Sequence, residues 1–269
     1  MLKERPVLNR ISMVKDLIKS LRIIILGSLN LPYFRRINSG VPIIIGGCGR
    51  SGTTLLLSIL GAHPQLHAIS RETGILRKER LSQSPRLWTL LSLSADTYTA
   101  RKDTARRWVE KTPRNINNIS AINQFFNGNV KFIHIVRDGR DVILSRHPTK
   151  PEEFWVDTER WVHDVSNGLA SEDSFDMLLV RYESLIHDFD RVVQDILNFL
   201  SLPPAPEVLD YYKHTTVSEN IAWESGVQQI HRSSVNKWKQ PEYQGRVAEM
   251  MGDQAAYSLL KRLDYLDYE

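Results

Sequence analysis

The stretch Pro42-Ile43-Ile44-Ile45-Gly46-Gly47-Cys48-Gly49-Arg50-Ser51-Gly52-Thr53-Thr54-Leu55-Leu56-Leu57 restricts the fold of this chain more than any other. A β-branched run breaks into a glycine-rich turn and passes into an apolar, helix-compatible segment, the strand–loop–helix order of an anion cradle. Glycines let backbone N–H groups turn inward, and the first N–H groups of the following helix carry partial positive charge. Aligned on Gly47 and Gly52 the loop has Walker-A spacing, but Thr53 stands where a lysine would reach the outer phosphates of a triphosphate. Arg50 instead puts a cation inside the turn. This argues against an ordinary NTPase and fits a nucleotide with a short 5′ chain. On this stretch alone, a degenerate phosphate loop in an unrelated α/β protein stays open.

Further strand ends bring polar groups in the same way. Leu66–Ile69 reads as a short strand that delivers Ser70-Arg71-Glu72-Thr73, and Trp108-Val109-Glu110-Lys111-Thr112-Pro113 as a strand holding a cation at the sheet edge, stopped by proline. Lys131–Val136 is the clearest strand. It runs into Arg137-Asp138-Gly139-Arg140-Asp141 and a helix expected to continue through Ser145, which makes a second anion site from Arg137 and Ser145. Phe175–Tyr182 reads as another strand, followed by an amphipathic helix from Asp188 that Pro203-Pro204 stops.

The residues G-x-x-R-S-G-T-T-L at 47–55 and V-R-D-x-R-D-x-x-x-S at 136–145 resemble the two nucleotide motifs of sulfotransferases that use 3′-phosphoadenosine 5′-phosphosulfate (PAPS), in the arginine form of tyrosylprotein and carbohydrate sulfotransferases. The likeness covers roughly residues 40–265. It implies one α/β domain over 41–269, P-loop-like, with a central parallel sheet, helices on both faces and the nucleotide at the carboxyl ends of the strands. It further implies that Gly49, Arg50, Ser51, Gly52, Thr53 and Thr54 hold the 5′-phosphosulfate, and that Arg137 and Ser145 hold the 3′-phosphate. Glu72, in a strand-end E-T pair, would be the catalytic base, with Lys111 and Arg50 stabilising charge. Cytosolic sulfotransferases follow their lysine with a catalytic histidine. This chain has Pro113 there, so the base role passes to Glu72, with Glu110 next in line. Tyr182 in V-R-Y-E is placed either near the adenine or simply buried at its strand end. Lys237 in N-K-W, and Ser225 more weakly, are further nucleotide contacts. The product would be the 3′,5′-bisphosphate PAP, and no metal is required.

Residues 1–40 form a separate amphipathic extension, with Val14, Leu17, Ile18, Leu21 and Ile25 at helical spacing among Lys15, Lys19 and Arg22. Ile23–Leu26 is too short an apolar run to cross a bilayer, so packing on the domain or peripheral membrane contact through 12–26 remains. Residues 77–106 read as a helical insertion able to cover the site, 151–173 as a helix, and Arg246–Leu263 as a closing helix. Cys48 is the sole cysteine, and a net charge of +4 is too mild to demand nucleic acid. The expected location is cytoplasmic, at most membrane-associated, with self-association into a homodimer open. His63 and His67 straddle Pro64 and cannot share a helix face as metal ligands. The partners expected are the nucleotide sulfate donor and an unidentified acceptor hydroxyl. Two rival readings are a P-loop kinase using ATP and magnesium, and a non-catalytic protein binding anionic ligands or membrane surfaces.

Overall fold

The structure is a computed structural model that describes residues 5–217 and 234–266, with side chains described from residue 13 onward. Two helices, α1 (Arg5–Leu29) and α2 (Leu31–Asn38), precede β1 (Ile43–Gly46), α3 (Thr53–Ala62) and β2 (Leu66–Ile69). Next come α4 (Lys78–Gln83), α5 (Arg86–Asp96), β3 (Arg107–Lys111), α6 (Ile119–Phe125) and β4 (Lys131–Val136). The one-turn helix α7 (Gly139–Val142) leads into a hairpin of β5 (Arg146–His147) and β6 (Lys150–Phe154), then α8 (Thr158–Leu169) and β7 (Met177–Arg181). Helices α9 (Tyr182–His187), α10 (Phe189–Leu200), α11 (Pro206–Leu209), α12 (Tyr211–His214), α13 (Gln244–Gly252) and α14 (Gln254–Arg262) complete the described chain.

Five strands form one sheet in the order β2-β3-β1-β4-β7, and every neighbouring pair is parallel. All five therefore end on the same side. Ile43, Ile44 and Ile45 are buried on both faces of the sheet, which explains why β1 is an uninterrupted β-branched run. On one face Leu56, Ile59 and Leu60 of α3 pack with Val193, Ile196 and Leu200 of α10. The other face is covered by α2, α6, α8 and α14, through Phe34, Ile122, Trp161 and Leu260. The three–four rhythm of α10 is buried as its spacing predicts, and Ser201 ends the helix in the left-handed region (φ 54°).

Several expectations are corrected. The helix after Arg137 stops at Val142, so Ser145 lies beyond it. Val142-Ile143-Leu144 is a continuous apolar run, and Pro148 and Pro151 punctuate the chain into a hairpin. Consequently 150–154 is strand, and the helix expected over 151–173 begins only at Thr158, where Asp157 accepts the Arg160 amide at 2.8 Å. The closing helix is two helices, because Gly252-Asp253 breaks it and Asp253 caps the second by accepting the Ala256 amide at 2.8 Å. The insertion 77–106 is helical only over α4 and α5, with 97–106 turn and irregular, and α5 serves as the platform for α1. A Cβ on Gly27 would lie 2.5 Å from the Leu91 carbonyl, the Ser94 hydroxyl donates to the Gly27 carbonyl (2.8 Å), and the Asn30 amide donates to the Ser94 carbonyl (2.7 Å) and the Thr97 hydroxyl (2.9 Å).

Candidate active site

The turn, Glu72, Lys111, Arg137 and Tyr182 all lie at or just beyond the carboxyl ends of sheet strands. The 47–52 turn follows the central β1, and its register partners place Ile45 beside Lys111 on β3 and Gly46 beside His134 on β4. The turn is tight. Gly52 holds φ at +93°, and a Cβ there would lie 2.4 Å from the Tyr182 ring. Arg50 is itself in the left-handed region (φ 72°), a strained backbone that persists at functional sites when its surroundings hold it. Ser51 is fully buried and its Oγ has no hydrogen-bond partner among the described residues. A buried hydroxyl without a partner is costly, and this one lies inside the turn between Arg50 and Gly52. Burial, and then the neighbouring Arg137, push the Arg50 guanidinium below its ordinary value. Two cations held this closely disfavour each other, and an anion relieves the conflict.

Glu72 and Lys111 are brought together: the lysine ammonium, almost wholly buried, donates to Glu72 Oε1 at 2.7 Å, while half of the Glu72 side chain remains exposed. Lys111 is not at the lateral edge of the sheet, because β3 lies between β2 and β1; it sits at the carboxyl end beside the turn. Glu110 is excluded as an alternative base. It is fully buried, its Oε1 accepts from the Thr73 amide (3.2 Å), the Thr73 hydroxyl (3.0 Å) and the Thr112 hydroxyl (2.6 Å), and its Oε2 accepts from Asn115 (2.6 Å). Burial pushes this carboxyl up and the four donors pull it back. Its work is to tie the Glu72-Thr73 segment to β3. On the outer side, Arg71 pairs with the buried Asp96 at the end of α5.

Arg137 is buried against the turn. It donates to the Arg50 carbonyl at 3.1 Å and to the Ser234 carbonyl, lies 3.6 Å from Asp141, and stacks over the Tyr182 ring at 4.6 Å. Tyr182 therefore joins the turn to Arg137 from beneath, and its hydroxyl shares a 2.7 Å hydrogen bond with Ser234. Asp141 accepts the Asn236 and Trp238 amides at 2.9 and 3.1 Å, which anchors the N-K-W segment beside the motif and leaves Lys237 exposed. Arg140 turns away, held by Asp138 (2.8 Å) and the Trp238 ring. Ser145 is half-buried; its carbonyl accepts the Trp155 amide, and it is not hydrogen-bonded to Arg137. Ser225 lies outside the described residues.

Sequence reasoning missed one cation. Arg160 of α8 approaches the turn so closely that a Cβ on Gly49 would lie 3.0 Å from its guanidinium and 3.4 Å from the Trp155 indole nitrogen. No local motif marks it; only the hairpin and the Asp157 cap bring it there. Cys48 is fully buried, and burial pushes its thiol far up, so it is a packing residue and not a nucleophile. His67 is buried against the Tyr33 hydroxyl (2.8 Å) and His63 against the Pro203 carbonyl (3.0 Å), both structural. Among the described residues no cluster of His, Cys, Asp and Glu is arranged to hold a metal. A cavity of about 440 Å³ beside α9 is lined by Arg140, Glu183, His187 and Asn236 and shares no residue with the turn.

A parallel α/β sheet with a glycine-rich, cation-bearing turn after its central strand is the layout of a P-loop-like fold. The chain belongs to the sulfotransferase domain family, whose model matches residues 41–241. It is 26% identical to protein-tyrosine sulfotransferase A of Caenorhabditis elegans over 83% of this chain and 67% of that one. With a relative from Aquifex aeolicus it is 27% identical over 75% of this chain, but it spans only 31% of that protein's length. Among solved structures, the sulfotransferase domain from the curacin biosynthetic pathway superimposes with a TM-score of 0.51 at 18% identity, covering 84% of this chain and 97% of that one. A mouse sulfotransferase complexed with PAP superimposes with a TM-score of 0.51 at 16% identity, covering 89% and 95%. These two likenesses concern the fold.

Proposed function

We propose that this protein transfers a sulfuryl group from PAPS to an acceptor hydroxyl and releases PAP. The observation that carries the reading is the turn itself: a lysine-free phosphate loop with Arg50 inside it, an unpartnered buried Ser51 hydroxyl, and Arg137 stacked alongside. PAPS supplies an activated sulfuryl group on a phosphate leaving group. The 49–54 amides, Ser51, Thr53 and Thr54 receive the 5′ end. Arg137, Ser145 and Lys237 receive the 3′-phosphate side; Ser225, the weaker contact expected from the sequence, lies outside the described residues. Glu72 takes the proton from the acceptor hydroxyl as that oxygen bonds to sulfur and the bond between sulfur and the phosphate oxygen breaks. Until then Lys111 holds the Glu72 carboxylate in place at 2.7 Å. Once Glu72 is protonated that attraction falls, and the ammonium is freed to stabilise charge growing on the departing phosphate together with Arg50. Positioning and fixed positive charge supply most of the rate.

Peptide tyrosine is the acceptor class to test first, because relatives from C. elegans and Drosophila melanogaster carry the name protein-tyrosine sulfotransferase. Sugar, lipid and small-metabolite hydroxyls are the other arms of a screen with labelled PAPS. Calorimetric titration of PAP against ATP, with and without magnesium, tests the donor. PAP is expected to bind without metal and ATP weakly. Magnesium-dependent preference for ATP points to a kinase, and tight PAP binding with no transfer to any acceptor points to a binding protein.

A further inference from the structure

The apolar face of α1 has no cover. Met13, Val14, Leu17, Ile18, Leu21, Ile24, Ile25 and Leu29 are each about half exposed or more. At roughly 100° per residue they occupy one arc of about 160°, interrupted within 13–29 only by the small, exposed Ser28. The opposite side is the docked one: Gly27 is buried against Leu91, with Ile23 and Leu26 half-buried beside it. The helix is thus fixed to the domain with its apolar residues facing outward. Isolated exposed leucines mean little, but eight exposed apolar residues on one helix face mark an interaction site.

Three features select its occupant. The arc is far wider than the a and d seam that a paired helix covers, so a second copy would leave much of it in water. Lys15, Arg22 and Lys19 lie side by side along one border of the arc, against a single acid, Asp16, on this part of the helix. Lys19 and Arg22 also influence Asp96, which Arg71 already pairs. Among the described residues no single helix is long and apolar enough to cross a membrane. The bent pair of α1 and α2, turned by 71°, does not do so either, because α2 buries Phe34 and Ile37 against the domain and Asn38 accepts the Trp108 indole N–H at 3.0 Å. We propose that α1 lies in the plane of an anionic membrane surface, its apolar arc among the acyl chains and its basic border at the headgroups.

Flotation of the full chain with vesicles of phosphatidylcholine plus phosphatidylserine, and of phosphatidylcholine alone, tests this, with light scattering on the lipid-free protein. The chain is expected to float with the anionic vesicles, less so at high salt, and to be monomeric without lipid. The triple substitution Leu17→Asn, Ile18→Asn and Ile25→Asn should cut vesicle binding at least tenfold while circular dichroism stays unchanged, since all three side chains are exposed. Lys15→Gln with Lys19→Gln and Arg22→Gln should remove the preference for phosphatidylserine. A dimer that the asparagine variant dissociates, with no flotation, would assign the face to a second copy and overturn the proposal. Equal flotation of the asparagine variant, or no flotation of the parent chain, would overturn it as well.

Discussion

Replacing Arg137 by alanine separates its contacts within the protein from the 3′-phosphate contact proposed for it. In this structure the guanidinium donates to the carbonyls of Arg50 and Ser234 and stacks on Tyr182, so its loss loosens the turn whatever nucleotide is present. Two hydrogen bonds from a guanidinium to carbonyls are worth about 1 kcal/mol or more each once water competes, and part of that should appear as a loss of roughly fivefold in affinity for adenosine 5′-monophosphate. A nucleotide with a 3′-phosphate should lose that and more. A charge-assisted contact between arginine and phosphate is worth about 1.5–3 kcal/mol, so PAP should suffer an additional loss of about 10- to 150-fold. Titration calorimetry of Arg137→Ala with both ligands, beside a melting curve to confirm folding, reads the difference directly. Equal losses for the two nucleotides would refute the assignment and leave Arg137 as a strut between the turn and Ser234.

Glu72→Gln should leave PAP affinity unchanged and lower the turnover of labelled PAPS by roughly 100-fold or more, and normal turnover would remove the base from Glu72. Gly52→Ala places a methyl 2.4 Å from the Tyr182 ring at a φ of +93°, so it should cost about 1–3 kcal/mol in thermal or urea denaturation and weaken PAP; an unchanged protein would mean the turn is slack. His134 and His67 are buried and held near neutral by burial, with values lowered to about 3 and about 4. The unfolded chain binds protons to both below pH ~6.5 while the folded chain does not, so stability should fall as pH drops through that window, by about 2 kcal/mol per histidine at pH ~5. Urea midpoints at neutral and acid pH check this, and His67→Gln should flatten the slope.

What was legible in the chain followed from local chemistry. Ile43–Ile45 shows itself as a buried parallel strand because two covered faces demand an uninterrupted apolar run, Lys131–Val136 because its run is apolar and β-rich but for Lys131 and His134, and α10 because its apolar spacing matches one covered face. The turn was readable for the same reason: its glycines and Arg50 act within a few residues of one another. Glu110 was not, because a glutamate near the end of a short strand looks like a surface residue until Thr73, from the neighbouring strand end, and Asn115, from the turn just after β3, close around it. Arg160 was hidden more deeply. Its approach to Gly49 depends on a hairpin whose apolar residues carry no strand rhythm and whose prolines mimic a loop.

A crystal structure of the chain with PAP measures directly whether the early glycine turn and the later arginine hold the two ends of one nucleotide, as proposed. The account predicts the 5′-phosphate on the 49–54 amides beside Arg50 and the 3′-phosphate within hydrogen-bond distance of Arg137. PAP bound in the cavity beside α9, away from the turn, or excluded from the crystals at saturating concentration, would contradict it.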